Sequence, residues 1–152
     1  MTPFGRIGIV AALVALVIAM PIPAQACGCA PVVAVPGQQT RPVSFDREVA
    51  IFSATVVEAS LLKGTVTLLV EQVWKGNLTE QITMRTIGFD GQMSTCDWKF
   101  DLGETYLVFG LGDSIATMRA EKCTLTAHLK DAGEALDMLK AAGYAPRRPQ
   151  IR

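Results

Sequence analysis

Four cysteines, Cys27, Cys29, Cys96 and Cys123, are the residues of this 152-residue chain whose type and spacing could do chemistry. In a reducing compartment such a set reads as a metal site or a redox centre, and in an oxidising one as two disulfides. The chain start decides between them. Met1 to Arg6 carries one positive charge, an apolar run follows from Ile7 to Met20, and then come Pro21, Pro23 and the small-residue pattern Ala24-Gln25-Ala26. That order predicts a secretory signal peptide over residues 1–26, with cleavage before Cys27. The run is shorter than the roughly 20 residues a membrane-spanning helix needs, and Ala24 stands where lipoprotein leaders usually carry Leu. The expected product is secreted or periplasmic, begins at Cys27 and has no transmembrane span.

Under oxidation, a bridge between Cys27 and Cys29 would strain so short a loop. Each therefore reaches for a distant partner, which leaves two connectivities open. Either one closes loops of about 70 to 95 residues, for roughly 4 kcal/mol each in the chain-entropy account. A terminal Cys27 has a second chemistry. Its α-amine and its own carbonyl are spaced to chelate a metal, and an α-amine, with a pKa of about 8, yields its proton readily beside a cation. Two backbone atoms cannot complete a zinc shell. They can fill the open position of a catalytic zinc held by three ligands of another protein, displacing its activated water. The plainer reading of Cys27 is a staple near the chain start.

Other chemistries find little support. The chain has 14 basic and 14 acidic residues, and losing Arg6 with the leader leaves 14 − 1 = 13 against 14, so no basic field exists to bind nucleic acid. The single histidine, His128, gives no nucleophile and base pair, and reads as a packing or surface residue. No phosphate loop, paired zinc-ligand motif or haem attachment sequence is present, so neither an enzyme nor a cofactor of the chain's own is expected. Trp74 and Tyr106 fall within strand patterns, where core packing is their use.

The elements that must position the cysteines are mostly strands. Val49 to Ser60 is apolar on both faces, as in a wall covered on its outer side; Lys63-Gly64 turns the chain; Thr65 to Trp74 alternates and pairs back as a hairpin. Gln81 to Ile87 alternates again, Gly88 to Gly103 reads as a loop fastened by Cys96, and Tyr106 to Phe109 and Ile115 to Arg119 are two further short strands. Asp131 and Glu134 form a capping box for a helix through Ala132, Ala135, Leu136, Leu139 and Ala142, which Gly143 stops. The prediction is a mainly β, five-stranded Greek-key barrel of the oligonucleotide/oligosaccharide-binding (OB) type, with a C-terminal α-helix and two disulfides, over residues 27–143. Residues 144–152 read as a flexible basic tail.

Cys27-Gly28-Cys29 at the predicted cleavage site is the most specific part of a wider pattern. It is followed by Ala50-Ile51-Phe52-Ser53-Ala54-Thr55-Val56, by Val66 to Val73-Trp74-Lys75-Gly76, by Cys96, by Gly103-Glu104-Thr105-Tyr106-Leu107-Val108-Phe109 and by Cys123-Thr124. This arrangement resembles the netrin-like domain, and more closely a bacterial member of the tissue inhibitor of metalloproteinases family, over roughly residues 27 to 142. The resemblance implies bridges Cys27–Cys96 and Cys29–Cys123, and a Cys27 that binds the zinc of a partner metalloendopeptidase through its backbone nitrogen and oxygen. It implies that Gly28 faces the neighbouring specificity pocket, that Cys29 and Ala30 follow along the cleft, and that Met93, Ser94 and Thr95 form a second contact strip. Zinc is then shared with the partner and is no cofactor of the chain, which is expected to be a monomer. The sequence departs from the animal inhibitors at Gly28, which has no side chain for the pocket and forgoes about 1 to 2 kcal/mol of burial. Their third N-terminal-domain bridge and their C-terminal domain are also missing. That departure favours the other reading, a non-inhibitory netrin-like module of the cell envelope that binds protein or glycan.

Overall fold

The structure, a computed structural model, describes residues 44–60, 62–86 and 96–151. Two long strands, β1 (Glu48–Ser60) and β2 (Thr65–Lys75), form an antiparallel hairpin, and β3 (Gln81–Arg85), β4 (Thr105–Leu111) and β5 (Ala127–His128) complete one five-stranded sheet. The order is β3-β2-β1-β4-β5, so β1 is central. Every pairing is antiparallel. The register of β1 against β2 shifts three times, between Ile51 and Phe52, Ser53 and Ala54, and Val56 and Glu58. Each such irregularity adds local twist and bends the strand that carries it.

Because side chains alternate along a strand, a central strand with apolar residues on both faces must be covered on both. β1 meets that demand with two separate cores. Ala50, Phe52, Ala54 and Val56 join Val66, Leu68, Tyr106 and Val108 on the first face, which Leu78, Met118 and Ala120 close from the connecting segments. Ile51 joins Leu107 and Phe109 on the second, under Phe45, Ala132 and the helix residues Ala135 and Leu139. Phe45 also meets Tyr144 edge-on, with ring centroids 5.7 Å apart. The single α-helix described, α1 (Gly133–Ala141), ends at Gly143, whose φ of 83° only glycine adopts freely. There the amides of Gly143 and Tyr144 return to the carbonyls of Lys140 and Leu139, closing the helix end.

The fold is mainly β, as expected: the five-stranded sheet is open, with β3 and β5 as its two edges. Three expectations need correction. Ile115–Thr117 is a short 3-10 turn and not a strand, because Ser114 and Thr117 bond each other across it, the Ser114 amide to the Thr117 hydroxyl at 3.1 Å. Only Arg119 keeps ladder geometry, opposite Leu111. The fifth strand lies later, at Ala127–His128, too short for any alternation to be read. Asp131 does not cap α1; it closes a 3-10 turn, Leu129–Asp131, and Ala132, with no side-chain bond, precedes the helix instead.

The segment 144–151 is largely exposed, as its composition implies, yet its backbone is bonded. Arg147 and Val73 exchange both amide hydrogen bonds, at 2.8 and 2.9 Å, and the Gln150 amide donates to the Leu78 carbonyl at 2.8 Å. The Arg147 guanidinium also reaches the Gly76 carbonyl.

Candidate functional site

Of the residues expected to meet a partner, Cys27, Gly28, Cys29, Ala30, Met93, Ser94 and Thr95 all lie outside the described residues, as does the leader. The two body cysteines lie within them, and the fold brings them together. Residues 96–98 run antiparallel to residues 120–122: Asp97 bridges Glu121, the Lys122 amide donates to the Cys96 carbonyl at 2.8 Å, and the Trp98 amide donates to the Ala120 carbonyl at 3.1 Å. Cys96 therefore stands one residue before the rung that Cys123 follows by two. Neither is a free thiol.

This short ladder is held from two sides. The turn carrying Cys123 is tied to the sheet through threonines, the Thr124 hydroxyl donating to the Glu121 carbonyl at 2.7 Å and lying in hydrogen-bond contact with the Thr126 hydroxyl at 2.8 Å. Thr126 is buried, and its oxygen accepts the Phe109 amide of β4 at 3.0 Å. Glu121 also pairs with Arg119 at 2.6 Å. On the other side Trp98 and Phe100 lie edge-on to Tyr106, with centroids 6.4 and 5.0 Å away. The Tyr106 hydroxyl accepts the Asp101 amide at 3.0 Å and donates to its carboxylate at 3.3 Å. Burial, followed by the charge of Asp101, pushes the Tyr106 phenol above its ordinary 10.0. The side chain thus remains a neutral donor, pinning the 98–104 loop to β4.

His128 packs as expected of a lone histidine, its ring 4.4 Å from that of Tyr106, opposite which it pairs in the sheet. Its Nδ1 is buried and stands 3.6 Å from a Glu104 carboxylate oxygen. Trp74 is half-buried against the second core, and Tyr106 is wholly buried in the first. The Asp101–Tyr106 tie and the threonine relay to β4 went unread in the sequence. Thr and Asp near glycines signal a turn, not the strand it is fastened to.

Two hollows, of about 400 and 450 Å³, flank Ile151 between β2, β3 and the 148–151 segment, and neither includes a residue of the cysteine ladder. Among the described residues no three His, Cys, Asp or Glu side chains are grouped to hold a metal, and no helix is long and apolar enough to cross a membrane. Compared with models of known families, with curated proteins and with solved structures, the chain finds no match.

Proposed function

We propose that the chain is an exported metalloproteinase-inhibitor-like protein, whose N-terminal Cys27 offers its amine and carbonyl to the catalytic zinc of a partner endopeptidase. The observation that carries this reading is the closeness of Cys96 and Cys123, both engaged, on one two-stranded ladder. Cys27 and Cys29, two residues apart, have Cα atoms at most about 7 Å from each other. Each disulfide spans roughly 4.4 to 6.8 Å between Cα atoms. A Cys-x-Cys segment can thus bridge to both body cysteines only if these are themselves near neighbours, as they are here. The pairing Cys27–Cys96 and Cys29–Cys123 would fix both position and direction of the chain start, so that little ordering entropy is lost on binding.

In this reading the partner supplies the metal and Cys27 supplies two ligands. Gly28, Cys29 and Ala30 would run along the cleft, with Met93, Ser94 and Thr95 beside them, positioned by Cys96. The OB-type barrel belongs to the same proposal: the register shifts of β1 curl the sheet, and the Ile115–Thr117 turn lies against β3 where a barrel would close. Processed protein with an unblocked N-terminus should inhibit a zinc endopeptidase, and one added Ala before Cys27 should abolish the inhibition. Equal inhibition by both forms overturns the mechanism.

The second reading, a non-inhibitory envelope module, rests on Gly28, which leaves the specificity pocket unfilled. It predicts that a bound protein or glycan stays bound after acetylation of the α-amine, a change that zinc chelation cannot survive.

A further inference from the structure

β2 has eleven residues, but β3 pairs only with its first half, Thr65 to Leu69. Beyond that point the same edge of β2 is taken by the C-terminal segment. The amide and carbonyl of Val73 bond Arg147, and the segment continues inside the wide 76–80 connection, where Gln150 bonds Leu78 and lies parallel to Thr79. Val73 and Leu78 are almost fully buried with the segment in place, and its departure leaves their backbone groups on an unpaired edge.

The segment itself is exposed and held chiefly through its backbone. Arg147, Arg148, Gln150 and Ile151 are all exposed. Its two prolines, Pro146 and Pro149, fall where no amide is used, each just before one of the donors Arg147 and Gln150, and they pre-set an extended chain. It leaves the domain from a fixed point, because Tyr144 is seated on Phe45 and bonded to Leu139, so residues 145 and 146 are the natural hinge. A segment that buries so little of its own side chains is a unit that opens without the rest of the fold. An unpaired strand edge is also a template for another chain.

We propose that the outer edge of β2 from Gln72 to Lys75, with Leu78 and Thr79, is a strand-addition site, filled in a single chain by its own residues 147–150 and in a pair of chains by those of the second copy. The seat is backbone-borne, so the identical segment of another copy makes the same bonds. Charge agrees with this occupant. Arg148 already lines one hollow together with Glu71 and Glu80, and the segment contains no acid. The proposal is independent of the inhibitor reading.

The test uses the full processed chain, isotope-labelled for NMR, and a synthetic peptide of residues 145–152. Arg147→Pro removes the amide that Val73 accepts and frees the seat. The peptide should shift the Gln72 to Lys75, Leu78 and Thr79 signals and bind this variant at least tenfold more tightly than the unaltered chain. The unaltered chain should dimerise between micromolar and millimolar concentration, and Arg147→Pro should stay monomeric. Absence of those shifts in both proteins, or shifts without a concentration-dependent dimer, overturns the proposal. Should the variant fail to fold, hydrogen exchange in the unaltered chain decides: the Val73 amide should exchange at least tenfold faster than the amides bonding β1 to β4, and equal protection refutes a separately opening segment.

Discussion

The two faces of the sheet are closed by different means. The second face is sealed by regular structure, a nine-residue helix whose apolar positions point one way and whose end is closed by its own backbone. The first is sealed by irregular chain, residues 96–104 and 112–126, which lacks a periodic pattern and depends on particular bonds, such as Tyr106 to Asp101 and Thr126 to Phe109. A small domain needs specific bonds wherever irregular chain, and not a helix, covers its core. A helix satisfies its own backbone as it covers a core, whereas a loop needs a named partner for each polar group it buries. Cys96 and Cys123 lie on the irregular side.

The comparison is sharpened first by cavities. Phe52→Ala, in the first core beside β2 and β4, should lose about 3 to 5 kcal/mol and lower the protection of every strand amide, because β1 serves both faces. Leu139→Ala should lose about 2 to 5 kcal/mol, with faster exchange confined at first to α1. Chemical denaturation and hydrogen exchange read both. If Leu139→Ala loosens the strands as much as the helix, the two cores are one cooperative unit and the contrast fails.

A smaller effect probes the loop side. Tyr106→Phe leaves the Asp101 amide without its acceptor and should cost about 1 to 2 kcal/mol. It also changes the alkaline limb of stability. The phenol of the folded chain titrates above 10.0, so in the window above that value the unfolded chain loses its proton first. This tyrosine's contribution is therefore intact below pH 10.0 and falls as the pH rises from there towards the folded value. The wild-type chain should show that fall in denaturation midpoints and Tyr106→Phe should lack it; parallel curves would place the tyrosine outside the fold's proton balance.

The smallest expected change is Asp131→Ala. A capping aspartate would cost about 1 kcal/mol to remove. As Asp131 ends a 3-10 turn and caps nothing in α1, its replacement should stay within about 0.5 kcal/mol. A larger loss would restore the capping box that the spacing suggested.

The long strands were legible because β1 is apolar on both faces within its 13 residues and β2 alternates along its 11, and α1 because its apolar positions recur before a glycine. What escaped was set by single contacts. Ile115 to Arg119 has strand composition, but one hydroxyl at Thr117 folds it into a turn. β5 has two residues and owes its pairing to β4 alone. The bonding of the 144–151 segment is carried by main-chain atoms, which every sequence possesses. Of the candidate site, the sequence suggested the pair of anchors in the body. Their adjacency depends on the Asp97–Glu121 rung, which brings together positions 24 residues apart, 121 − 97, with no pattern to announce it.

Phe45 and Tyr144, which touch across the second core, stand just before the first strand and just after the helix. That face cannot be finished until residue 144 has been made. Until residue 144 has left the ribosome, Ile51, Leu107 and Phe109 lack their lid, and a nascent chain presents them as an uncovered apolar face. Any factor that escorts this protein before it is whole would find its handle there, and would be dismissed by the helix as it docks.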